Sequence, residues 1–145
     1  MDEMAIHKGF DIKGGRVYGY VDIGGLIDND EEEDRPAASS ALVFLAVNIK
    51  ENFRIPIAYF LINGLNASER ANILDIVLHL LHDIDVSAHS ITFDMTPVNF
   101  SMCEVLGAKF DFDGMKGKKN DKLFVPWFKH SAMGRYLKCQ TPVTC

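Results

Sequence analysis

The residues with the clearest chemical potential are two aspartates on predicted strands. Asp94 ends the apolar run "SITF", and a helix signal starts almost immediately after it. Asp2, with Glu3 beside it, lies on the first predicted strand, "MDEMAI". Burying most of a strand and ending it in a charge is costly unless the charge has a partner or a function. The carboxyl end of a parallel strand is where open α/β sheets bind ligands, so Asp94 is a candidate site residue.

Two carboxylates on neighbouring strands can bind divalent metal ions. If the first strand runs parallel beside residues 87–93, Asp2 and Asp94 stand on strands about 4.8 Å apart. The two charges then repel each other and need a cation to stay ionised, and Mg²⁺ takes such hard oxygen ligands. A pair of these ions clamps the attacking and leaving oxygens of a phosphodiester. Such a site normally needs a third acid from elsewhere in the protein.

A second interpretation of Asp94 is structural. The residue precedes a predicted helix, where the helix dipole favours a carboxylate. Asp94 would then cap that helix, together with Thr96. The spacing of the residues leaves both interpretations open.

Hydrophobic periodicity predicts the elements that must position these aspartates. Gly14-Gly15 predicts a two-residue hairpin turn, and Asn66 or Ser68 can cap a long amphipathic helix. The continuous apolar runs 41–49 and 54–62 predict buried strands, the first of them buried on both faces. A strand–helix–strand order then favours a parallel pair, so the sequence predicts a mixed α/β sheet flanked by helices. The apolar stripe of the long helix is Ile73, Ile76, Val77, Leu80, Leu81 and Ile84, and the remaining predicted elements are a hairpin over 9–23, a strand over 87–93 and a helix over 96–107.

The C-terminal segment is less regular and is basic. Leu123–Val125 predicts a short strand that Pro126 interrupts, and a weak helix is expected after it. Residues 116–138 hold seven Lys or Arg against one acid, whereas residues 28–34 hold six acids. This asymmetry fits a polyanionic partner and also fits ordinary surface loops. Trp127 and Phe128 predict either stacking on nucleic-acid bases or a hydrophobic anchor.

Composition and motifs exclude several classes of protein. The chain has 145 residues, a net charge of −5 and 48% hydrophobic residues, which indicates one folded domain. No apolar run approaches the roughly 20 residues of a membrane span. The N-terminus lacks the basic segment followed by an apolar segment that is typical of a signal peptide. We therefore expect an intracellular protein that does not associate with a membrane. Three cysteines without a C-x-x-C pair argue against a disulfide framework and a structural zinc site. No nucleophile elbow or phosphate-binding loop motif occurs.

Other polar or sulfur-containing candidates have simple interpretations. His79 and His82, three residues apart on the long helix, can share a metal ion. No acid or cysteine is obviously placed to complete that site, so we interpret them as solvated helix histidines. Cys103 is expected to be a core or half-buried thiol.

Three stretches carry a family resemblance. "MDEMAIHKGFDIKGGRVYGYVDIG", "ALVFLAVNIKENFRIPIAYFLINGLNASE" and "SITFDMTPVNFSMCEVLGAKF" together resemble the transposase domain of the P element family, which includes animal proteins that join it to a THAP zinc-finger domain. The match runs from Met1 to Phe110. Its motifs are the Asp-Glu-Met start, the apolar "IPIAYFL" strand, and "TFD" followed by Pro-x-Asn.

The resemblance implies a ribonuclease-H-like fold and a DNA strand-cutting and strand-joining reaction with Mg²⁺ or Mn²⁺. Asp2 matches the family's first catalytic, metal-binding Asp, and Asp94 matches the second. Glu3 should point to the opposite face of its strand and is not assigned a metal. DNA is the implied partner, together with a homo-oligomer or a fuller transposase chain, and the implied location is the nucleus.

The chain departs from the family pattern in its C-terminal part. The family's third catalytic acid follows an inserted domain associated with GTP binding, and this chain stops before it. Where relatives read Asp-Pro-Pro-His, only Pro126, Lys129 and His130 offer a partial match. We therefore predict a partial, incomplete ribonuclease-H-like transposase domain over 1–113 and a basic divergent tail over 114–145. The expected function is that of a transposase fragment, inactive as given; the alternative is a domesticated, non-catalytic module that binds a protein or DNA.

Overall fold

The computed structural model describes residues 1–24, 35–110, 127–131 and 134–140. They fall into two compact units, Met1–Leu65 and Asn66–Cys145. The predicted division after residue 113 concerns family resemblance rather than compactness and stays a prediction. The described elements are β1 (Asp2–Ala5), β2 (Asp11–Lys13), β3 (Arg16–Tyr18), β4 (Ser40–Val47), β5 (Arg54–Ile62), α1 (Ala67–Asp83), β6 (Ser90–Thr92), α2 (Pro97–Val105), β7 (Trp127–His130) and β8 (Arg135–Gln140).

The first unit contains an antiparallel sheet in the order β1-β4-β5 and a separate β2-β3 hairpin. Gly14 and Gly15 both have positive φ, as a primed two-residue turn requires, so the predicted hairpin is confirmed. The register of β4 against β5 shifts between Phe44 and Leu45, where Leu45 faces Pro56. Because proline cannot donate to the ladder, it is tolerated at such an irregularity on an edge strand.

The apolar strand β4 is buried over only part of its length. Leu42 and Phe44 are buried, and Phe44 packs edge-on against Phe60 with ring centroids 5.9 Å apart. Leu45 and Val47 are exposed. The prediction of a strand is therefore right, whereas the expectation of burial on both faces is wrong for its second half.

Helix α1 begins with a capping box. The Asn66 side chain accepts from the Glu69 backbone N–H at 3.0 Å, and the Glu69 carboxylate accepts from the Asn66 N–H at 2.8 Å. Two of the helix's orphan donors are satisfied in this way, so Asn66 is the cap. The buried face of α1 is rotated relative to the predicted apolar stripe. Leu80 and Ile84 belong to that stripe, but both are exposed. The buried residues are Arg70, Ala71, Ile73, Leu74, Val77 and Leu78.

The second unit also contains a sheet in the order β6-β8-β7. Strand β6 runs parallel to β8, with Ser90 opposite Lys138, and β7 runs antiparallel to β8. The described parallel partner of β6 is therefore β8 and not an earlier strand. The weak helix expected after Pro126 is wrong, because Phe128 and His130 are buried on alternate residues, which is the period of a strand.

Helix α2 packs in the core of this unit and carries a buried thiol. Thr96 is its N-cap, Pro97 occupies the first turn, and Met102 and Cys103 are fully buried. The Cys103 sulfur lies 2.6 Å from that of Cys139 on β8. The hydrogen bond from Cys139, followed by burial, raises the pKa of Cys103 well above its ordinary value. Cys103 is therefore a core thiol, as predicted. Neither described helix is long and apolar enough to cross a membrane.

Candidate active site

Asp94 lies between β6 and α2, and its carboxylate is held by side chains. Its Oδ1 accepts hydrogen bonds from the Thr96 hydroxyl at 3.2 Å and from the Asn99 amide. The same Asn99 amide nitrogen lies 3.5 Å from the Asp94 carbonyl oxygen. Two donors on one oxygen fix the orientation of the carboxylate, while the side chain remains exposed to solvent.

Asn99 is in turn fixed from α1. Its side chain is buried, and its Oδ1 accepts from the Arg70 guanidinium at 3.3 Å. Because the guanidinium can only donate, the amide oxygen must face Arg70 and the amide nitrogen must face Asp94. Arg70 is also buried. We call these four residues, Arg70, Thr96, Asn99 and Asp94, the Asp94 network.

The network argues against Asp94 acting as a simple helix cap. The N-cap is Thr96, and it makes no side-chain cap hydrogen bond. Asp94 stands two residues earlier and takes its donors from side chains rather than from the first-turn N–H groups. Both donors to this carboxylate, a hydroxyl and an amide, are neutral groups.

Asp2, the other predicted ligand, is on the edge strand β1. It is exposed, and its Oδ1 accepts from the Glu3 backbone N–H at 2.9 Å. The register places Asp2 opposite Val43 and Glu3 opposite Leu42, so the two acids point to opposite faces, as expected. Asp2 belongs to the first unit and Asp94 to the second. Their joint role as metal ligands stays a prediction.

Arg70 and Asn99 were not predicted to support Asp94. Asn99 is the last residue of the Pro-x-Asn motif that carried the family resemblance, and this spacing was the available signal. Arg70 gave no such signal, since an arginine in the first turn of a helix is usually solvated. Its burial depends on the packing of α1 against α2.

A second polar group of side chains lies elsewhere in this unit. Asp75 and His79 of α1 and His130 of β7 each offer one metal-ligating atom, and these atoms lie within 4.8 Å of one another. We call these three residues the His130 cluster. His79 and His82 were both predicted to be solvated helix histidines; His79 instead lies in this cluster, whereas the His82 ring lies 3.8 Å from the Asp83 carboxylate. The missed signal was the i, i+4 spacing of Asp75 and His79.

Of the two residues predicted to stack on nucleic-acid bases, only Phe128 has a described side chain. Phe128 is buried in the second unit, so its ring belongs to the core and cannot stack on a base. The side chain of Trp127 lies outside what the structure describes, as do the acidic run 28–34, the lysines at 116–122 and the expected strand 123–125. Lys129 and Lys138 are exposed.

Comparison with known proteins identifies relatives of the chain. The profile of the TNP-like, RNase H N-terminal domain family matches residues 1–107. DNA transposase THAP9 of Homo sapiens is 33% identical over 101 residues, which are 69% of this chain and 11% of that protein. The structure of the Drosophila P element transposase strand transfer complex aligns with a TM-score of 0.61 at 15% identity, covering 97% of this chain and 25% of that one.

These matches confirm the resemblance to the P element family. The chain spans about a tenth of the length of the human relative and a quarter of the solved chain. At 15% identity the structural match shows a shared mixed α/β fold. Since the family profile covers most of the sequence, this chain belongs to the TNP-like, RNase H N-terminal domain family.

Proposed function

We propose that the chain contributes the first two metal ligands, Asp2 and Asp94, to the ribonuclease-H-like catalytic core of a DNA transposase. The reaction is metal-dependent cleavage and transfer of a DNA strand. A third acid comes from a fuller transposase chain or from another copy. DNA is the substrate, and the place of action is the nucleus.

The observation that carries this proposal is the exposed, oriented carboxylate of Asp94. A metal site needs ligands whose own rotamers are locked by surrounding hydrogen bonds. Thr96 and Asn99 do this for Asp94, and Arg70 does it for Asn99. Both donors bind Oδ1, and within the described residues none donates to Oδ2.

The donors fit Mg²⁺ or Mn²⁺. Both ions prefer hard carboxylate oxygens and keep several waters, and Asp2 and Asp94 are exposed carboxylates. When bound, the metal stabilises the negative charge that develops on the phosphodiester oxygens. The chain's own part is to hold the Asp94 carboxylate oriented, through the hydrogen bonds of the Asp94 network.

A non-catalytic, protein-binding role is the second candidate. On one face of the β4–β5 pair in the first unit, Leu45, Val47 and Tyr59 are exposed. Contiguous exposed apolar surface marks interaction sites. A domesticated module would use this surface and would not need Asp94.

Calorimetric titration with Mn²⁺ separates the two candidates. We expect the chain to bind Mn²⁺ saturably, with competition by excess Mg²⁺, and Asp94→Asn to weaken that binding at least tenfold. Asp83→Asn removes an exposed carboxylate of α1 and should leave the titration unchanged. Mn²⁺ binding that survives in Asp94→Asn would remove the support for a metal ligand at this position and favour the protein-binding role.

The role of Asp2 is tested in the same titration. Asp2→Asn should weaken Mn²⁺ binding if both aspartates share the ions, whereas Glu3→Gln, on the opposite face of β1, should not. An equal effect of both substitutions would point to general electrostatics rather than to ligation.

A further inference from the structure

We propose that Asp75, His79 and His130 form a binding site for one divalent transition-metal ion of the Zn²⁺ type. This site is separate from Asp94 and does not depend on the proposed transposase chemistry. Two of its residues lie one turn apart on α1, where i and i+4 side chains share a face. The third comes from β7, so the site joins a helix to a strand within the second unit.

His79 is already in the tautomer that a metal ligand needs. Its Nδ1 lies 2.8 Å from the Asp75 backbone carbonyl. A carbonyl can only accept, so Nδ1 carries the proton and Nε2 keeps a lone pair. Metal-binding histidines typically donate their other ring N–H to such a carbonyl, which fixes the ring and raises its basicity.

His130 is the buried member of the cluster. It is 2% exposed, and its Nε2 lies 2.9 Å from Asp75 Oδ1. Its Nδ1 is buried and has no hydrogen-bond partner among the described residues. The hydrogen bond to Asp75 therefore satisfies only one of the two nitrogens of this buried ring.

A metal ion can replace the proton between His130 and Asp75 with little movement. Zinc bonds of about 2.1 Å at the tetrahedral angle separate two ligand atoms by roughly 3.4 Å. The present distance between His130 Nε2 and Asp75 Oδ1 is 2.9 Å. An opening of about half an ångström therefore admits the ion, and the Nε2 proton moves to Nδ1.

His79 closes the site from the other side. Its ring centroid lies 4.8 Å from that of His130, with the rings tilted by 67°. Its Nδ1 also lies 3.4 Å from Asp75 Oδ2. The three side chains therefore converge on one volume, with one ligating atom of each within 4.8 Å of the other two.

The donor types select the metal. Two imidazole nitrogens and one carboxylate oxygen suit Zn²⁺ and Co²⁺, whereas Mg²⁺ and Ca²⁺ prefer oxygen alone. Three protein ligands leave a fourth tetrahedral position for water or an external ligand. The metal would hold β7 against α1 and thereby stabilise the second unit, because it binds the folded protein and not the unfolded chain.

The test uses the full chain, freed of metal by chelation. We expect one equivalent of Zn²⁺ to bind in competition with a chromophoric chelator, and to raise the melting temperature where the same concentration of Mg²⁺ does not. His79→Gln should weaken Zn²⁺ binding at least tenfold and abolish the thermal shift. His82→Gln, on the same helix and exposed, is the matched control and should bind as the parent does.

Co²⁺ identifies the ligands independently. Its visible absorption should indicate a tetrahedral nitrogen and oxygen site without the charge-transfer band of a thiolate, which would instead implicate Cys103 and Cys139. Asp94→Asn should bind Zn²⁺ normally, which separates this site from the proposed active site. His79→Gln is preferred to a change at His130 because His79 is half-exposed and His130 is buried. Circular dichroism can confirm that the His79→Gln variant folds.

Three results overturn the proposal. They are unchanged Zn²⁺ affinity in His79→Gln, an equal loss in His82→Gln, or a thiolate band with Co²⁺. The cluster would then be a hydrogen-bonded Asp75–His130 pair with a neighbouring histidine.

Discussion

Asp94 and Asp75 are two aspartates of the same unit that are held in place in different ways. Asp94 is exposed and accepts from an amide and a hydroxyl, so it presents only hard oxygen to an incoming ion. Asp75 accepts from the ring of a buried histidine, beside a second histidine. The neighbours of a carboxylate, more than its charge, therefore decide which metal it suits.

The largest expected effect comes from removing the amide that supports Asp94. Asn99→Ala leaves the buried Arg70 guanidinium without one of its acceptors and frees the Asp94 carboxylate. We expect a loss of about 3 kcal/mol in the free energy of unfolding, measured by urea denaturation, and a Mn²⁺ affinity about tenfold weaker. Asn72→Ala changes an exposed asparagine of α1 and should cost little; equal losses in both variants would contradict the assigned role of Asn99.

Weakening the start of α1 should affect the two sites unequally. Asn66→Ala removes the capping box and should cost about 1 kcal/mol. Arg70 lies in the first turn, whereas Asp75 and His79 lie further along the helix, so fraying disturbs the Asp94 network first. Mn²⁺ binding should therefore weaken more than Zn²⁺ binding does. Ser68→Ala leaves the capping box intact and should change neither the Mn²⁺ affinity nor the Zn²⁺ affinity. Equal weakening of both affinities in Asn66→Ala would contradict local fraying and show that the whole of α1 is disturbed.

Replacing the buried histidine should reveal how little the His130 cluster contributes without metal. His130→Phe loses the hydrogen bond to Asp75 but also removes a buried nitrogen without a partner. These effects oppose each other, so we expect a net change under about 1 kcal/mol in the metal-free protein. Adding Zn²⁺ should stabilise the parent and not the variant, as thermal melting would record. A large loss without metal would make the cluster an ordinary structural hydrogen bond.

The smallest effect is expected at the second donor to Asp94. Thr96→Val removes one hydrogen bond of 3.2 Å in an exposed setting, which we expect to cost about 0.5 kcal/mol and to change Mn²⁺ affinity about twofold. Thr96→Ser keeps the hydroxyl and should behave like the parent. An effect as large as that of Asn99→Ala would mean that Thr96, rather than Asn99, dominates the support of the carboxylate.

Local features were the most predictable part of the molecule. The glycine pair of the first hairpin, the cap at Asn66 and the Thr96-Pro97 helix start depend on a few neighbouring residues, and each is where the sequence indicates. The position of Asp94 between strand and helix was predictable for the same reason.

Features that depend on distant parts of the chain were not predictable. Which apolar residues of α1 are buried depends on what packs against it, so Leu80 and Ile84 were wrongly expected in the core. His130 meets Asp75 across 55 positions, and no local periodicity reports such a contact. The strands β7 and β8 were missed because Pro126 and the lysine-rich stretch obscured an alternation of only a few residues.

The parallel pairing of β6 with β8 also bears on the order in which the molecule assembles. Ser90 finds its partner Lys138 only after 48 further residues, whereas β4 and β5 are joined by a short connection. Closing the longer loop costs more chain entropy and slows folding. We therefore expect the β4–β5 pairing to form early during synthesis, and the β6–β8 pairing to form only after β8 has left the ribosome.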